Sequence, residues 1–391
     1  MLYRSILRPI LFRLPPEQAH ELALRSLALA LGANWTRKAV ARRFHQERTG
    51  ELRRFGLTFK SAVGLAAGFD KNGRAAQALA TLGFGFIEVG TVTHLAQSGN
   101  ARPRLFRLPQ DRALINRLGF NNEGAARVAA RLSAHRPDCV LGINLGKSRA
   151  VRLDNAVEDY LASFELVRHL ADYVTINVSS PNTPALRELQ RADMLAELLQ
   201  AIQQRNREPL HVGGARPVPL LVKIAPDLNQ REIEEIVEVA LNAGVDGIIA
   251  TNTTTSRAQL RSSAARVAAC GEGGLSGQPL RARSTEMVAA LHLLARGRLT
   301  IIGVGGIFIA RDAWEKICAG ASLVQLYTGF VYEGWTVVRE INEGLDALVR
   351  REGFRSLDEA VGCRARELVD AGGAMQQAYD KRRAIPDVSE S

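Results

Sequence analysis

The feature that most constrains this chain is an eightfold alternation: from about Glu51 onward, short apolar runs are each followed by a longer stretch of helical periodicity. The runs are Ala62–Ala67, Phe86–Val89, Val140–Leu145, Tyr173–Val178, Leu220–Ile224, Gly247–Ala250, Thr300–Val304 and Leu323–Leu326. They are short and almost continuously apolar, as strands covered on both faces must be. Between them lie patterns such as Arg74–Leu82, Glu123–Leu132, Val157–Leu170, Arg231–Ala243 and Arg311–Ala319, with glycine near several ends. A helical crossover joins parallel strands, so eight such units predict an α/β protein with a closed (β/α)8 TIM barrel. An open doubly wound sheet is the alternative. A chain of 391 residues holds one such barrel, typically roughly 250 residues, with appendages at either end.

In a barrel of this kind the chemistry gathers at the C-terminal ends of the strands. Every run here ends in polar or glycine residues. The first is followed by Ala66-Ala67-Gly68-Phe69-Asp70-Lys71, the second by Gly90-Thr91, and the fourth leads into Asn177-Val178-Ser179-Ser180-Pro181-Asn182-Thr183. Asn144 lies in the third and Lys223 in the fifth, Thr251-Asn252-Thr253 follows the sixth, Gly305-Gly306 the seventh and Tyr327-Thr328 the eighth. Any one of these is ordinary turn chemistry; all eight together point to a site. Glycines after the last two strands let backbone N–H groups approach a phosphate, which barrels of this type often bind there. The remaining groups are mainly amides, with two lysines. Paired carboxylates and metal-spaced histidines are missing from the pattern, which favours neither acid-pair hydrolysis nor metal–water chemistry. A planar ligand rich in N–H and C=O groups fits better.

The appendages differ from the barrel in charge. Residues 1–54 hold eleven Lys or Arg against four Glu, a local net of +7 out of +11 for the chain. Leu2–Leu11 reads as a short helix with Leu2, Ile6, Leu7 and Ile10 on one side, and a second helix runs from Pro16 to about Gly32. No apolar run is long enough to span a bilayer, and no cleavable leader is evident. Basic residues beside an apolar stripe suit an anionic lipid surface better than nucleic acid, although plain packing on the barrel explains such a hairpin equally well. Cys139, Cys270, Cys318 and Cys363 form no CxxC pair, which points to a reducing compartment without a disulfide framework or zinc. The chain divides into 1–50, an N-terminal helical extension; 51–350, the barrel; and 351–391, a C-terminal tail expected to begin as helix and end disordered.

Six segments resemble the dihydroorotate dehydrogenase family, specifically its quinone-dependent class: Ala66–Lys71 (AAGFDK), Asn116–Asn122 (NRLGFNN), Asn177–Thr183 (NVSSPNT), Thr251–Thr254 (TNTT), Gly273–Gly277 (GGLSG) and Gly303–Ile307 (GVGGI). They occur in order, and the similarity runs from about Leu2 to about Leu348. The resemblance implies an FMN enzyme that oxidises dihydroorotate to orotate in pyrimidine biosynthesis and is reoxidised by a membrane quinone. It implies FMN contacts at Ala67, Gly68, Lys71, Thr91, Asn144, Asn177, Lys223, Thr251, Gly277, Gly306, Tyr327 and Thr328. Substrate contacts are implied at Lys71, Asn116, Arg117, Leu118, Gly119, Phe120, Asn177, Asn182, Asn252 and Thr253.

Ser180 is the implied base, where soluble relatives carry Cys, with Thr183 and the surroundings of Phe120 as a proton relay through water. An unassisted hydroxyl is a weak base, so some such help is required. His20, Arg107 and Tyr327 correspond to residues at the quinone end of a tunnel roofed by the N-terminal hairpin. These features imply a peripheral protein on the cytoplasmic face of a bacterial inner membrane, with no nucleic-acid partner. Three other readings stay open at this point: a soluble relative using fumarate or NAD, a different FMN or phosphate-binding barrel, and a non-enzymatic basic barrel.

Overall fold

The computed structural model describes residues 2–44, 52–209 and 217–371. Eight parallel strands close into a barrel: β1 Val63–Leu65, β2 Phe86–Val92, β3 Val140–Leu145, β4 Tyr173–Asn177, β5 Leu220–Ile224, β6 Gly247–Ala250, β7 Thr300–Val304 and β8 Leu323–Leu326. Each pairs with its neighbours in sequence, and β8 closes on β1 with Val324 opposite Val63. The expected alternation is therefore the observed one. The limits differ most at β1, which is shorter than the apolar run, and at β2, which continues through Gly90-Thr91 with a register shift against β3.

Local rules account for much of the outer ring. The helix Gln230–Ala243 starts on a capping box, Asn229 accepting from the Glu232 amide at 3.0 Å while Glu232 accepts from the Asn229 amide at 2.7 Å, and it stops at Gly244 with φ +68°. Its Ile233, Ile236, Val237 and Ala240 are buried. At the N-terminal end of the barrel an antiparallel pair, Leu52–Arg54 with Leu57–Phe59, puts the Phe59 ring 5.4 Å from that of Phe86, which in turn lies 6.4 Å from Tyr173. Tyr173 fits because β3 carries glycine beside it: a Cβ on Gly142 would sit 2.1 Å from the tyrosine ring.

Three features were not legible as periodic patterns. A three-stranded antiparallel sheet joins Leu105–Leu108 and Ala113–Asn116, from the β2–β3 connection, to Gly274–Gly277, from the β6–β7 connection. A further helix, Asn34–Phe44, is basic and has little apolar period. The first helix is also irregular, with a wide π-type turn over Tyr3–Leu7 before an α-helical turn Arg8–Leu11. Pro9 has no amide to offer the carbonyl four residues earlier, so regular winding fails there.

The stretch after the last long helix, Val337–Arg351, packs on the barrel. Leu357, Ala360 and Ala365 are buried in the main core, and the Gly362 and Arg364 amides donate to Ile317 and Cys318 carbonyls at 3.0 and 2.9 Å. The disorder expected for the last part of the tail concerns positions outside the described residues. Among the described residues no helix is long and apolar enough to cross a membrane.

Candidate active site

At the C-terminal ends of the strands lies a cleft whose empty space, open mouth included, is about 980 Å³. Strand ends form its floor and the three-stranded sheet one wall. That sheet explains two motifs that lie between strand ends: Asn116 pairs with Gly274, and Ala113 with Gly277, across a sequence gap of about 160 residues.

Below the floor a buried polar network fixes the amides. Thr91 donates to the Asn144 side-chain oxygen at 2.6 Å, and the Asn177 amide donates to Thr91 at 2.9 Å and to Asn144 at 3.1 Å. Asn252 donates to Ser179 at 3.0 Å, and Ser179 to the Asn177 oxygen at 2.8 Å. All of it hangs from Glu88, wholly buried in mid-β2, whose carboxylate accepts from Asn144 at 2.8 Å, Tyr173 at 3.0 Å and Gln325 at 2.8 Å. Networks of this kind lock side-chain orientation in a low-dielectric interior, and here only the Gln325 side-chain oxygen lacks a partner among the network atoms described. Glu88 was not singled out from the sequence. Its signal was there, a lone carboxylate inside the apolar run Phe86-Ile87-Glu88-Val89.

Two cations face the cleft. Lys71 donates to the Gly68 carbonyl at 2.9 Å, and desolvation pulls its ammonium down to about 8, against the opposing field of Glu17. Lys223 is also lowered by burial, with Glu88 opposing. Both are thus poised to gain from an anionic ligand.

The lining gathers Ala67, Gly68, Lys71, Thr91, Asn177, Lys223, Thr251, Gly277, Gly306, Tyr327 and Thr328, together with Asn116, Leu118, Gly119, Phe120, Ser180, Asn182, Asn252 and Thr253. Five expected residues stand apart from it: Asn144, Thr183 and Arg117, and, at the hairpin edge, His20 and Arg107. Asn144 lies one layer below, bonded to Thr91 and Asn177. Thr183 is buried off the lining, and its hydroxyl has no hydrogen-bond partner among the described residues.

Arg117 departs most. Its guanidinium stacks 4.7 Å over Phe106 and donates to the carbonyls of Pro103 at 3.0 Å, Glu272 at 3.3 Å and Cys270. The side chain staples the wall sheet instead of reaching the cleft, because three carbonyls within its reach satisfy the fork. Residues that the sequence reading did not assign to the site include Ser276, Leu280 and Gln325; Ser276 and Thr328 hydroxyls are 2.8 Å apart.

The cleft's opposite edge meets the N-terminal hairpin. The His20 ring lies edge-on to Phe69 at 4.8 Å, and Phe69 meets Tyr327 at 5.7 Å, forming an aromatic line from helix to cleft. Burial, then the neighbouring Lys71 charge, hold the His20 imidazole down at about 4, so it is neutral near pH 7. Arg107 sits beneath the hairpin turn, 4.6 Å over Phe12, and donates to the carbonyls of Leu11, at 3.2 Å, and Leu14.

The residues present fit a phosphorylated planar group. Gly305 and Gly306 have φ of +128° and +71°, and a Cβ on Gly306 would lie 2.4 Å from Arg281, so only glycine leaves these amides exposed to an anion. The buried Thr253 hydroxyl on the lining has no hydrogen-bond partner among the described residues. Fold and cleft together define a class: a barrel enzyme whose strand-end cleft has the glycine, amide and lysine groups to receive a phosphorylated planar group.

The sequence profile of the family described as "Dihydroorotate dehydrogenase" matches residues 51–349. Among curated relatives, a protein of Gloeobacter violaceus named dihydroorotate dehydrogenase (quinone) is 51% identical over 365 residues, 93% of this chain and 99% of that one. One of the same name from Halobacterium salinarum is 50% identical over 362 residues, 92% and 99%. The crystal structure of the Eimeria tenella enzyme in complex with ferulenol superposes with a TM-score of 0.80 at 38% identity, covering 90% of this chain and 96% of that one. The chain belongs to the dihydroorotate dehydrogenase family.

Proposed function

We propose that the chain oxidises dihydroorotate to orotate, a step of pyrimidine biosynthesis, using FMN and a membrane quinone. The observation that carries this reading is one cleft joining the Gly305-Gly306 amides to a cluster of Lys71, Asn116, Asn177, Ser180, Asn182 and Asn252. Names of relatives that align over nearly all of the chain support the quinone as electron acceptor.

FMN would be held by Ala67, Gly68, Lys71, Thr91, Asn177, Lys223, Thr251, Gly277, Gly306, Tyr327 and Thr328, with Asn144 acting through Thr91 and Asn177. When bound it supplies a hydride acceptor that a quinone can reoxidise. The chain's own residues do the rest. Asn116 accepts from Asn182 at 3.1 Å, which presets the two amides for the ring edge of dihydroorotate. Lys71 supplies the countercharge for its carboxylate.

Ser180 takes the proton from one ring carbon as the neighbouring C–H bond gives up its hydride, so a carbon–carbon double bond forms. The Ser180 oxygen accepts from the Asn182 amide at 3.2 Å, which orients the hydroxyl. Thr183, buried with no protein partner for its hydroxyl among the described residues, passes that proton on through water near Phe120.

His20, Arg107 and Tyr327 form the quinone end in this reading, under a hairpin comprising roughly residues 1–50, with 51–350 as the catalytic barrel and 351–391 as a C-terminal appendage. Leu2, Ile6, Ile10, Leu22, Leu29 and Trp35 are exposed on the N-terminal helices, which supports docking on an anionic bilayer surface. In this reading the protein sits peripherally at the cytoplasmic face of a bacterial inner membrane. Purified protein should be yellow and should reduce a quinone in proportion to dihydroorotate consumed. A folded, colourless preparation that takes up no FMN, or flavin that dihydroorotate does not bleach, rejects the proposal.

A further inference from the structure

Arg187 lies outside the cleft lining, yet it touches three of the loops that build it. The residue sits in the short 3-10 helix Leu186–Gln190, and all three nitrogens of its guanidinium are engaged. Nε donates to the Ser179 carbonyl at 3.1 Å, Nη1 to the Asp227 carboxylate at 2.8 Å and Nη2 to the Thr253 carbonyl at 3.0 Å. These acceptors belong to the loops after β4, β5 and β6. Asp227 reinforces the junction by accepting from the Thr254 hydroxyl and from the Thr255 amide at 3.1 Å, and Gln190 accepts from the Ala225 amide at 2.8 Å.

The segment from Val178 to Ala185 has no ladder or helix to hold it, and it carries Ser180, Asn182 and Thr183. Irregular segments are the easiest parts of a fold to displace. Fixing the Ser179 carbonyl fixes the peptide plane that leads directly into Ser180. The same fork fixes Thr253, next to Asn252, whose side chain itself donates to Ser179 at 3.0 Å. We propose that Arg187 is a positioning residue for proton abstraction: it sets the distance between the Ser180 hydroxyl and the substrate carbon by clamping the Ser180 loop to the Asn252–Thr253 loop.

Its charge is matched by Asp227, so it adds little net field to the cleft; its effect is geometric. A planar fork with three separately directed donors is required, and a lysine, with a single donor centre, can satisfy only part of it. A displacement of about 1 Å at a reacting group can cost ~100-fold in rate. The inference rests on Ser180 being the base, so the test includes that residue.

Full-length, flavin-loaded Arg187→Met, Arg187→Lys, Asp227→Asn and Ser180→Ala are compared with wild type by stopped-flow flavin reduction at saturating dihydroorotate. Substrates deuterated separately at the proton-losing and the hydride-losing carbon are used, and orotate affinity is measured in parallel. Arg187→Met is expected to slow reduction about 10- to 100-fold while orotate affinity stays within about threefold. The isotope effect should grow at the proton-losing carbon and not at the other. Arg187→Lys should recover part of the rate, and Asp227→Asn should lose less than Arg187→Met. Reduction within twofold of wild type in Arg187→Met, or a loss of orotate affinity as large as the loss of rate, overturns the inference. An unchanged rate in Ser180→Ala removes the base assignment and this inference with it; a slow Ser180→Ala beside a normal Arg187→Met overturns the positioning role alone.

Discussion

Converting Leu2, Ile6 and Ile10 together to glutamate should release the protein from anionic membranes without touching its flavin chemistry. The structure makes these three the outward face of the first helix, at 58%, 53% and 55% exposure, while Tyr3, Arg4 and Arg8 turn toward the barrel. Full burial of a Leu or Ile side chain is worth about 1.5–3 kcal/mol, so a little over half of each side chain represents about 1 kcal/mol, and about 3 kcal/mol for the three. Each glutamate beside an anionic surface costs about another 1 kcal/mol, by the same field that attracts a lysine. The total of about 6 kcal/mol is about four orders of magnitude in partitioning at 1.4 kcal/mol per tenfold.

Flotation with vesicles of phosphatidylcholine and phosphatidylglycerol measures it directly. Raising salt should restore the electrostatic half and leave the apolar half lost. Stopped-flow reduction by dihydroorotate should be unchanged, because none of the three residues lines the cleft. Turnover with a vesicle-borne long-chain quinone should collapse, and turnover with a short water-soluble quinone should not. A triple variant that floats like wild type would refute the assignment of this face to lipid. The basic character of the segment contributes less than its count implies. Arg4 is paired with Glu333 at 2.6 Å and Glu340 at 2.5 Å, so under the proposed docking the attraction to lipid would fall to others, such as Arg42 and Arg43 in the last turn of Asn34–Phe44.

The cleft supplies three further expectations. Burial holds Lys71 near 8 in the free protein, below the usual lysine value of 10.5, so a carboxylate ligand that restores its charge takes up a proton on binding. Orotate affinity should be full below about pH 8 and fall as pH rises through it, and Lys71→Met should abolish the step; a flat profile from pH 7 to 9 in wild type would contradict this. Gly306→Ala must place a methyl group 2.4 Å from Arg281 at φ +71°, so it should purify with much less flavin and bind added FMN at least about tenfold more weakly, read by absorbance and fluorescence titration. Glu88→Leu leaves the Asn144, Tyr173 and Gln325 donors without their buried acceptor, at about 1–3 kcal/mol each, so urea unfolding should shift by several kcal/mol, and a loss under about 1 kcal/mol would show that the network reorganises.

The eight strand–helix units were legible in the sequence because strand and helix periodicity are local properties, and a strand covered on both faces has to be apolar throughout. The strand-end motifs were legible for the same reason: once the strands are placed, the residues just beyond them must lie at one end of the barrel. Asn177, Lys223, Thr251 and Gly306 needed nothing more to be placed on the cleft lining, whereas Asn144 lies one layer below it.

Tertiary structure decided what depends on partners distant in the chain. Asn116 and Gly277 come together with the site because a sheet pairs strands about 160 residues apart, a register that neither strand specifies alone. Arg117 and Arg4 read as cations available for substrate and lipid, but one finds three carbonyls and the other two carboxylates, and long flexible side chains go where the nearest acceptors are. Glu88 read as an interruption of an apolar strand until Asn144, Tyr173 and Gln325, from three other strands, converged on it. A pattern along the chain says which face a residue takes, whereas its charge or hydrogen bonds are settled by whatever the closed barrel places opposite.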